Sequence, residues 1–124
     1  ECVFHTVEPE GFDDYARSLQ AGERLANPAL SGSICDAILT GRPGEMSFSI
    51  LRDRAGEGIA VSDDEALRAV AFAFRELKLV VEPGGAVALA AVLSGKIKTE
   101  GRAVGIVLSG GNIDPELLQS ALEI

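Results

Sequence analysis

Ala103 to Leu108 is an apolar run, interrupted only by Gly105, that leads directly into Ser109-Gly110-Gly111-Asn112 and then into Asp114-Pro115. A short apolar run bounded by turn residues predicts a buried strand. Paired glycines allow a tight strand-to-helix turn. Asp followed by Pro supplies a helix N-cap and a first helical residue whose missing N–H is harmless. The same alternation recurs upstream. Cys2 to Val7 predicts a strand, and Phe12 to Gly22 a helix closed by its glycine. Glu45 to Ala55 predicts a short helix and Gly58 to Val61 a short buried strand. Ser62-Asp63-Asp64-Glu65 has the form of a capping box. Leu67, Val70, Phe74 and Leu77 then recur at helical spacing and predict that helix's apolar face, while Asp64 and Arg68 are spaced as an i,i+4 ion pair. Pro83 opens another helix, ending at Gly95. Residues 33–44 carry no clear signal. Strands alternating with helices predict an α/β fold, a largely parallel sheet flanked by helices, formed as a single unit over residues 1–124.

Charge and composition narrow the function. With 11 basic and 19 acidic side chains the formal charge is −8. Cationic groups supply non-specific affinity for phosphate backbones, so DNA, RNA and anionic membranes are disfavoured as partners. The longest wholly apolar run, Ala86 to Leu93, has eight residues, short of the roughly 18–20 that a membrane span needs. No basic region precedes an apolar stretch at the start, as a secretory leader would require. Cys2 and Cys35 form no C-x-x-C pair, which fits the reduced thiols of a cytoplasmic protein. The single histidine, His5, lies among Val3, Phe4 and Val7 and reads as a structural residue, not a general base.

In open α/β sheets, ligands gather at the carboxyl ends of strands, where helix N-termini offer unpaired N–H groups. The Ser109–Asn112 turn is therefore the expected place for a cofactor or phosphate contact, with a purely steric glycine turn as the alternative. Neither G-x-G-x-x-G nor G-x-x-x-x-G-K occurs in the chain.

Three passages taken together carry a resemblance. Val7-Glu8-Pro9 with Asp13-Asp14, then Lys78-Leu79-Val80-Val81-Glu82-Pro83-Gly84-Gly85-Ala86, then Gly105-Ile106-Val107-Leu108-Ser109-Gly110-Gly111-Asn112 follow one another over essentially the whole chain. In order and spacing they resemble the carboxyl-terminal part of threonine/serine dehydratases and serine racemase, the fold-type II pyridoxal-phosphate enzymes. The resemblance implies part of the large domain of a tryptophan-synthase-beta-like enzyme. It implies that Ser109 bonds the pyridine nitrogen of the cofactor, with Gly110, Gly111 and Asn112 shaping the loop around the ring and Glu82 at its edge. It further implies that Glu8, Asp14 and the Phe12 carbonyl are ligands of Mg²⁺ or Ca²⁺, whose preference is for hard oxygen donors. From the residues alone, Asp13 and Asp14 equally fit a helix N-terminus, where the dipole favours acids. Ala37 departs from the pattern, since the group more often carries glycine there.

The activity implied is β-elimination of L-threonine or L-serine to a 2-oxo acid and ammonia. The alternatives are serine racemase activity and a non-catalytic α/β binding module. The family's Schiff-base lysine and glycine-rich phosphate loop have no counterpart here, for Lys78 reads as a snorkelling helix residue and Lys96 and Lys98 as an exposed loop. The resemblance thus implies an amino-terminal half of the same enzyme as partner, a small amino-acid substrate, a homodimer, and no activity from the 124 residues alone. The position of Ile124, just past the last helix, leads to the expectation of a short form without an appended regulatory domain.

Overall fold

The computed structural model describes residues 2–124. Its sheet has two strands, β1 (Val7–Pro9) and β2 (Ile59–Val61), paired in parallel with Val7 opposite Ile59 and Pro9 opposite Val61. The first strand therefore lies later than the predicted Cys2–Val7, because β2 is the only regular partner among the described residues and its register begins at Val7. Upstream, Phe4 makes one isolated bridge to Ala55. Helices α1 (Asp14–Ala21), α2 (Glu45–Leu51), α3 (Asp63–Phe72), α4 (Pro83–Leu93) and α5 (Pro115–Leu122) complete the regular elements, with a 3₁₀ turn at Asp36–Ile38 and a π-turn at Ala73–Leu77.

Local chemistry explains most of the boundaries. At the start of α3 both capping-box bonds form. The Glu65 N–H donates to Ser62 Oγ (3.2 Å) and the Ser62 N–H to Glu65 Oε2 (2.7 Å). Asp114 caps α5 by accepting from the Glu116 N–H at 2.9 Å. Gly22 ends α1 at φ +75°, where glycine meets no side-chain penalty. Helix α2 stops at Leu51, short of the predicted Ala55.

The core forms where α3 packs along α4. Helix α4 is buried nearly all round, from Pro83 through Ala91, which suits its lack of polar residues. The face that α3 buries is Ala66, Ala69, Val70 and Ala73, while Phe74 and Leu77 are exposed. This corrects the predicted Leu67–Val70–Phe74–Leu77 stripe: small side chains line the face toward α4, and only Val70 of that stripe is fully buried, with Leu67 partly so. No Asp64–Arg68 ion pair forms among the described residues.

The largest departure concerns Ala103–Leu108. These residues form no strand, and no backbone group of theirs is hydrogen-bonded among the described residues. The apolar pattern is present, but the run is paired with neither β1 nor β2, which hydrogen-bond only to each other as strands. No helix is long and apolar enough to cross a membrane among the described residues.

Candidate functional site

Ser109 ends the unpaired Ala103–Leu108 run, exposed, and its hydroxyl has no hydrogen-bond partner among the described residues. The turn that follows is held rigidly. The Glu82 N–H donates to the Gly110 carbonyl at 3.0 Å. A Cβ on Gly85 would stand 2.8 Å from both N and O of Gly110, one on Gly111 would stand 2.6 Å from the Val80 carbonyl, and one on Gly110 would collide with the Glu82 carboxylate. These glycines let the turn lie directly on the first turn of α4 and on the segment entering it. Glu82 is the N-cap residue of α4, but its side chain makes no capping bond and rests along Gly110 instead. Asn112 is exposed. Ser109, Gly110 and Glu82 are thus brought to one place, presenting a free hydroxyl on a fixed backbone.

The second group surrounds the start of α1. Glu8 lies on β1, and its two carboxylate oxygens accept the Tyr15 and Ala16 N–H groups, each at 3.1 Å. A strand residue, not Asp13, therefore caps this helix. Asp13 instead pairs with Arg17 at 3.4 Å. Asp14 is wholly buried, accepting from Asn27 Nδ2 at 2.8 Å and Thr40 Oγ1 at 3.4 Å. Burial, then the nearby charges of Asp14 and Asp13, push the Glu8 carboxyl up to about 7, against the opposing pull of its two backbone bonds. Phe12 is buried, its N–H donates to the Pro9 carbonyl at 3.0 Å, and no backbone donor among the described residues takes its own carbonyl. The N–H that would reach back to it in a longer helix, that of Ala16, is turned to Glu8. Among the described residues no cluster of three or more histidine, cysteine or acidic ligands forms, so a cation here would depend on two carboxylates and a carbonyl.

Other residues take up support roles that sequence spacing did not reveal. Ser33 Oγ donates to Asp63 at 2.6 Å, the Ile34 N–H donates to the same carboxylate at 3.3 Å, and Cys35 N–H returns to Ser33 Oγ at 3.1 Å. This fastens residues 33–38, so that Ala37 and Ile38 sit beside Gly84 at the start of α4. Burial raises the Cys35 thiol to about 11, which leaves it protonated and unreactive. Lys96 is no free loop residue. Its Nζ donates to the Ala60 carbonyl (2.8 Å) and Glu65 (2.7 Å), clipping β2 to the start of α3. Lys78 donates to the Arg75 carbonyl at 2.5 Å, and Lys98 is exposed. His5 Nδ1 is 2.8 Å from the Glu57 carbonyl, a structural bond.

The chain matches the family model described as "Pyridoxal-phosphate dependent enzyme" over residues 2–110. It belongs to the pyridoxal-phosphate dependent enzyme family. An L-threo-3-hydroxyaspartate ammonia-lyase from Pseudomonas sp. is 36% identical over 99% of this chain and 38% of its own length. Among solved structures, a threonine deaminase from T.th. superposes with a TM-score of 0.82 at 39% identity, covering 90% of this chain and 37% of that one. Maize serine racemase superposes with a TM-score of 0.82 at 31% identity, covering 98% and 38%. The fold is that of fold-type II enzymes, and the chain spans little more than a third of the length of the relatives it matches.

Proposed function

We propose that this chain is the pyridine-nitrogen side of a pyridoxal-phosphate-dependent ammonia-lyase that eliminates water from L-threonine or L-serine and releases a 2-oxo acid and ammonia. The observation that carries the reading is Ser109, a hydroxyl free of protein partners on a turn that α4 holds in place. When bound, pyridoxal phosphate supplies an electron sink for bond cleavage at the amino-bearing carbon. Ser109 Oγ would donate to the neutral ring nitrogen of the bound cofactor, and a neutral hydroxyl, unlike a carboxylate, would not stabilise a proton there. The milder sink that results suits loss of a β-hydroxyl. Gly110 and Gly111 hold the turn against Glu82 and Val80, so Ser109 keeps its aim, and the exposed Asn112 follows directly in the chain. The anchoring lysine and phosphate cradle come from the remainder of the enzyme, since Lys78, Lys96 and Lys98 are engaged or exposed elsewhere. Relatives named as ammonia-lyases and threonine deaminase support the lyase reading; the likeness to maize serine racemase supports racemisation as the second reading.

Glu8, the Phe12 carbonyl and Asp14 would hold Mg²⁺ or Ca²⁺. The free carbonyl beside the carboxylates supports this, because a cation would offset the burial that chiefly raises the Glu8 carboxyl and the lesser repulsion from Asp14 and Asp13. Its part is to hold the β1–α1 junction.

In the complete enzyme Ser109→Ala removes one hydrogen bond, and cofactor affinity should fall about 2- to 13-fold. Ser109→Asp should favour a protonated ring nitrogen and raise the ratio of pyridoxamine phosphate to 2-oxo acid during turnover. Wild-type affinity and product ratio in both variants would reduce Ser109 to a turn residue.

A further inference from the structure

We propose that Asn27 is a positioning residue for the cation at the β1–α1 junction: its side-chain amide holds one oxygen of the Asp14 carboxylate and leaves the other for the ion. The proposal rests on the reading of Glu8, the Phe12 carbonyl and Asp14 as ligands and adds the residue that fixes one of them. Asp14 is wholly buried. Buried charges are paired with an opposite charge or coordinate a metal. No lysine or arginine lies within ion-pair distance of Asp14 among the described residues, and Arg17, on the same helix, pairs with Asp13 at 3.4 Å. The side-chain donors to Asp14 are neutral and unequal. Asn27 Nδ2 reaches Oδ1 at 2.8 Å, whereas Thr40 Oγ1 reaches Oδ2 only at 3.4 Å. One oxygen is therefore firmly held, and the other keeps most of its capacity to accept.

Asn27 can hold that oxygen because every polar atom of its own side chain is engaged. Nδ2 donates a second time, to the Thr40 carbonyl at 2.7 Å, and Oδ1 accepts from Arg17 Nη2. Reversing the amide would set its oxygen against the Asp14 carboxylate and the Thr40 carbonyl, and its NH₂ against a guanidinium, so a single orientation fits. Arg17 is itself anchored by Asp13 and by the Ala26 carbonyl at 3.2 Å. The Asn27 N–H donates to the Gly41 carbonyl at 2.8 Å, which brings residues 40–41 to the same place. Helix α1, residues 26–27 and residues 40–41 thus meet at one amide, and Asp14 is the carboxylate they fix. Hydrogen bonds that orient a ligating carboxylate spare the ion the cost of ordering it. A carboxylate at position 27 would lack both donors and would repel Asp14, so the amide is the group this place calls for.

The test uses the complete protein, stripped of metal with a chelator and titrated with Ca²⁺ by calorimetry. The wild type should bind, and Asn27→Ala should raise the Kd about 10- to 100-fold. Arg17→Lys keeps the charge but loses the planar fork that reaches Asp13, Ala26 and Asn27 together. It should raise the Kd about 2- to 13-fold, the worth of one hydrogen bond. Asp114→Ala serves as the control for lost stability, since it uncaps α5, which packs on α3. That variant should melt earlier than the wild type and keep its Ca²⁺ affinity. Wild-type affinity in either the Asn27 or the Arg17 variant, or an equal loss in Asp114→Ala, would overturn the role of Asn27 while the cation site stands. A wild type that takes up no Ca²⁺ would remove the site itself and this proposal with it.

Discussion

Glu8 shows how one side chain can hold two local structures in opposition. Its carboxylate satisfies the first N–H groups of α1, yet it is half-buried and close to Asp14 and Asp13. Its proton is held more tightly in the folded state, at about 7, than in the unfolded chain, where the carboxyl has its ordinary value of 4.5. The stabilisation is complete below pH 4.5, declines as pH rises toward 7, and is gone above it. In cation-free buffer, thermal stability followed from pH 4 to 8 should show that decline, and Glu8→Gln should flatten it. A divalent cation should add more stability at pH 8 than at pH 5, because it competes with the proton for the same oxygens. Asp14→Asn should abolish the cation increment. It should also cost about 1.5–3 kcal/mol without the cation, since the carboxylate accepts buried bonds from Asn27 and Thr40. An increment of wild-type size in Asp14→Asn would remove Asp14 from the ligand set.

Helix starts and stops are written locally, and they could be read from the residues in hand. Ser62 with Glu65, Asp114 with Pro115, and Gly22 all do what their chemistry allows within a few residues of chain. Ser62→Ala should therefore cost about 0.5–2 kcal/mol in a thermal or denaturant melt. Faces and partners are set at a distance, and there the sequence said less. The bulkier residues Phe74 and Leu77 carry the helical period, yet α3 turns its alanines to α4, because the helices meet where side chains are small. The cap of α1 comes from β1, six residues before its first residue, which no capping pattern describes. Around Ser109, the order of motifs located the turn, but spacing did not show that Gly85 is its seat. Gly85→Ala pits a helix-propensity gain of about 1 kcal/mol against an overpacking cost of about 1–3 kcal/mol from the Gly110 backbone 2.8 Å away. The cost should prevail. The complete enzyme should lose stability and also cofactor affinity, measured together by melting with and without pyridoxal phosphate.

Taken whole, the molecule is well packed on the α3–α4 side and open where Ala103–Leu108 passes. The 124 residues expressed alone present unpaired backbone beside exposed valines, the combination that templates association between chains. They should self-associate in sedimentation experiments as concentration rises, and Val107→Lys should shift them toward monomer by placing a charge on that edge. A concentration-independent monomer would show that the edge is harmless as it stands. The apolar run was visible in the sequence as a strand, but among the described residues it finds no strand partner.

The cleft that opens between residues 3–7 and residues 103–107, about 970 Å³ in volume, also sets an order of events during synthesis. Its walls at His5 and Ala103 are 98 residues apart in the chain, so at ribosomal speeds of about 5–20 residues per second the first wall emerges about 5–20 s before the second. Through that interval the exposed apolar residues of the first wall, Val3 and Phe4, are in the cell without the second wall. Nascent-chain chaperones should find them there, and slowing translation between the two walls should lengthen the chaperones' hold.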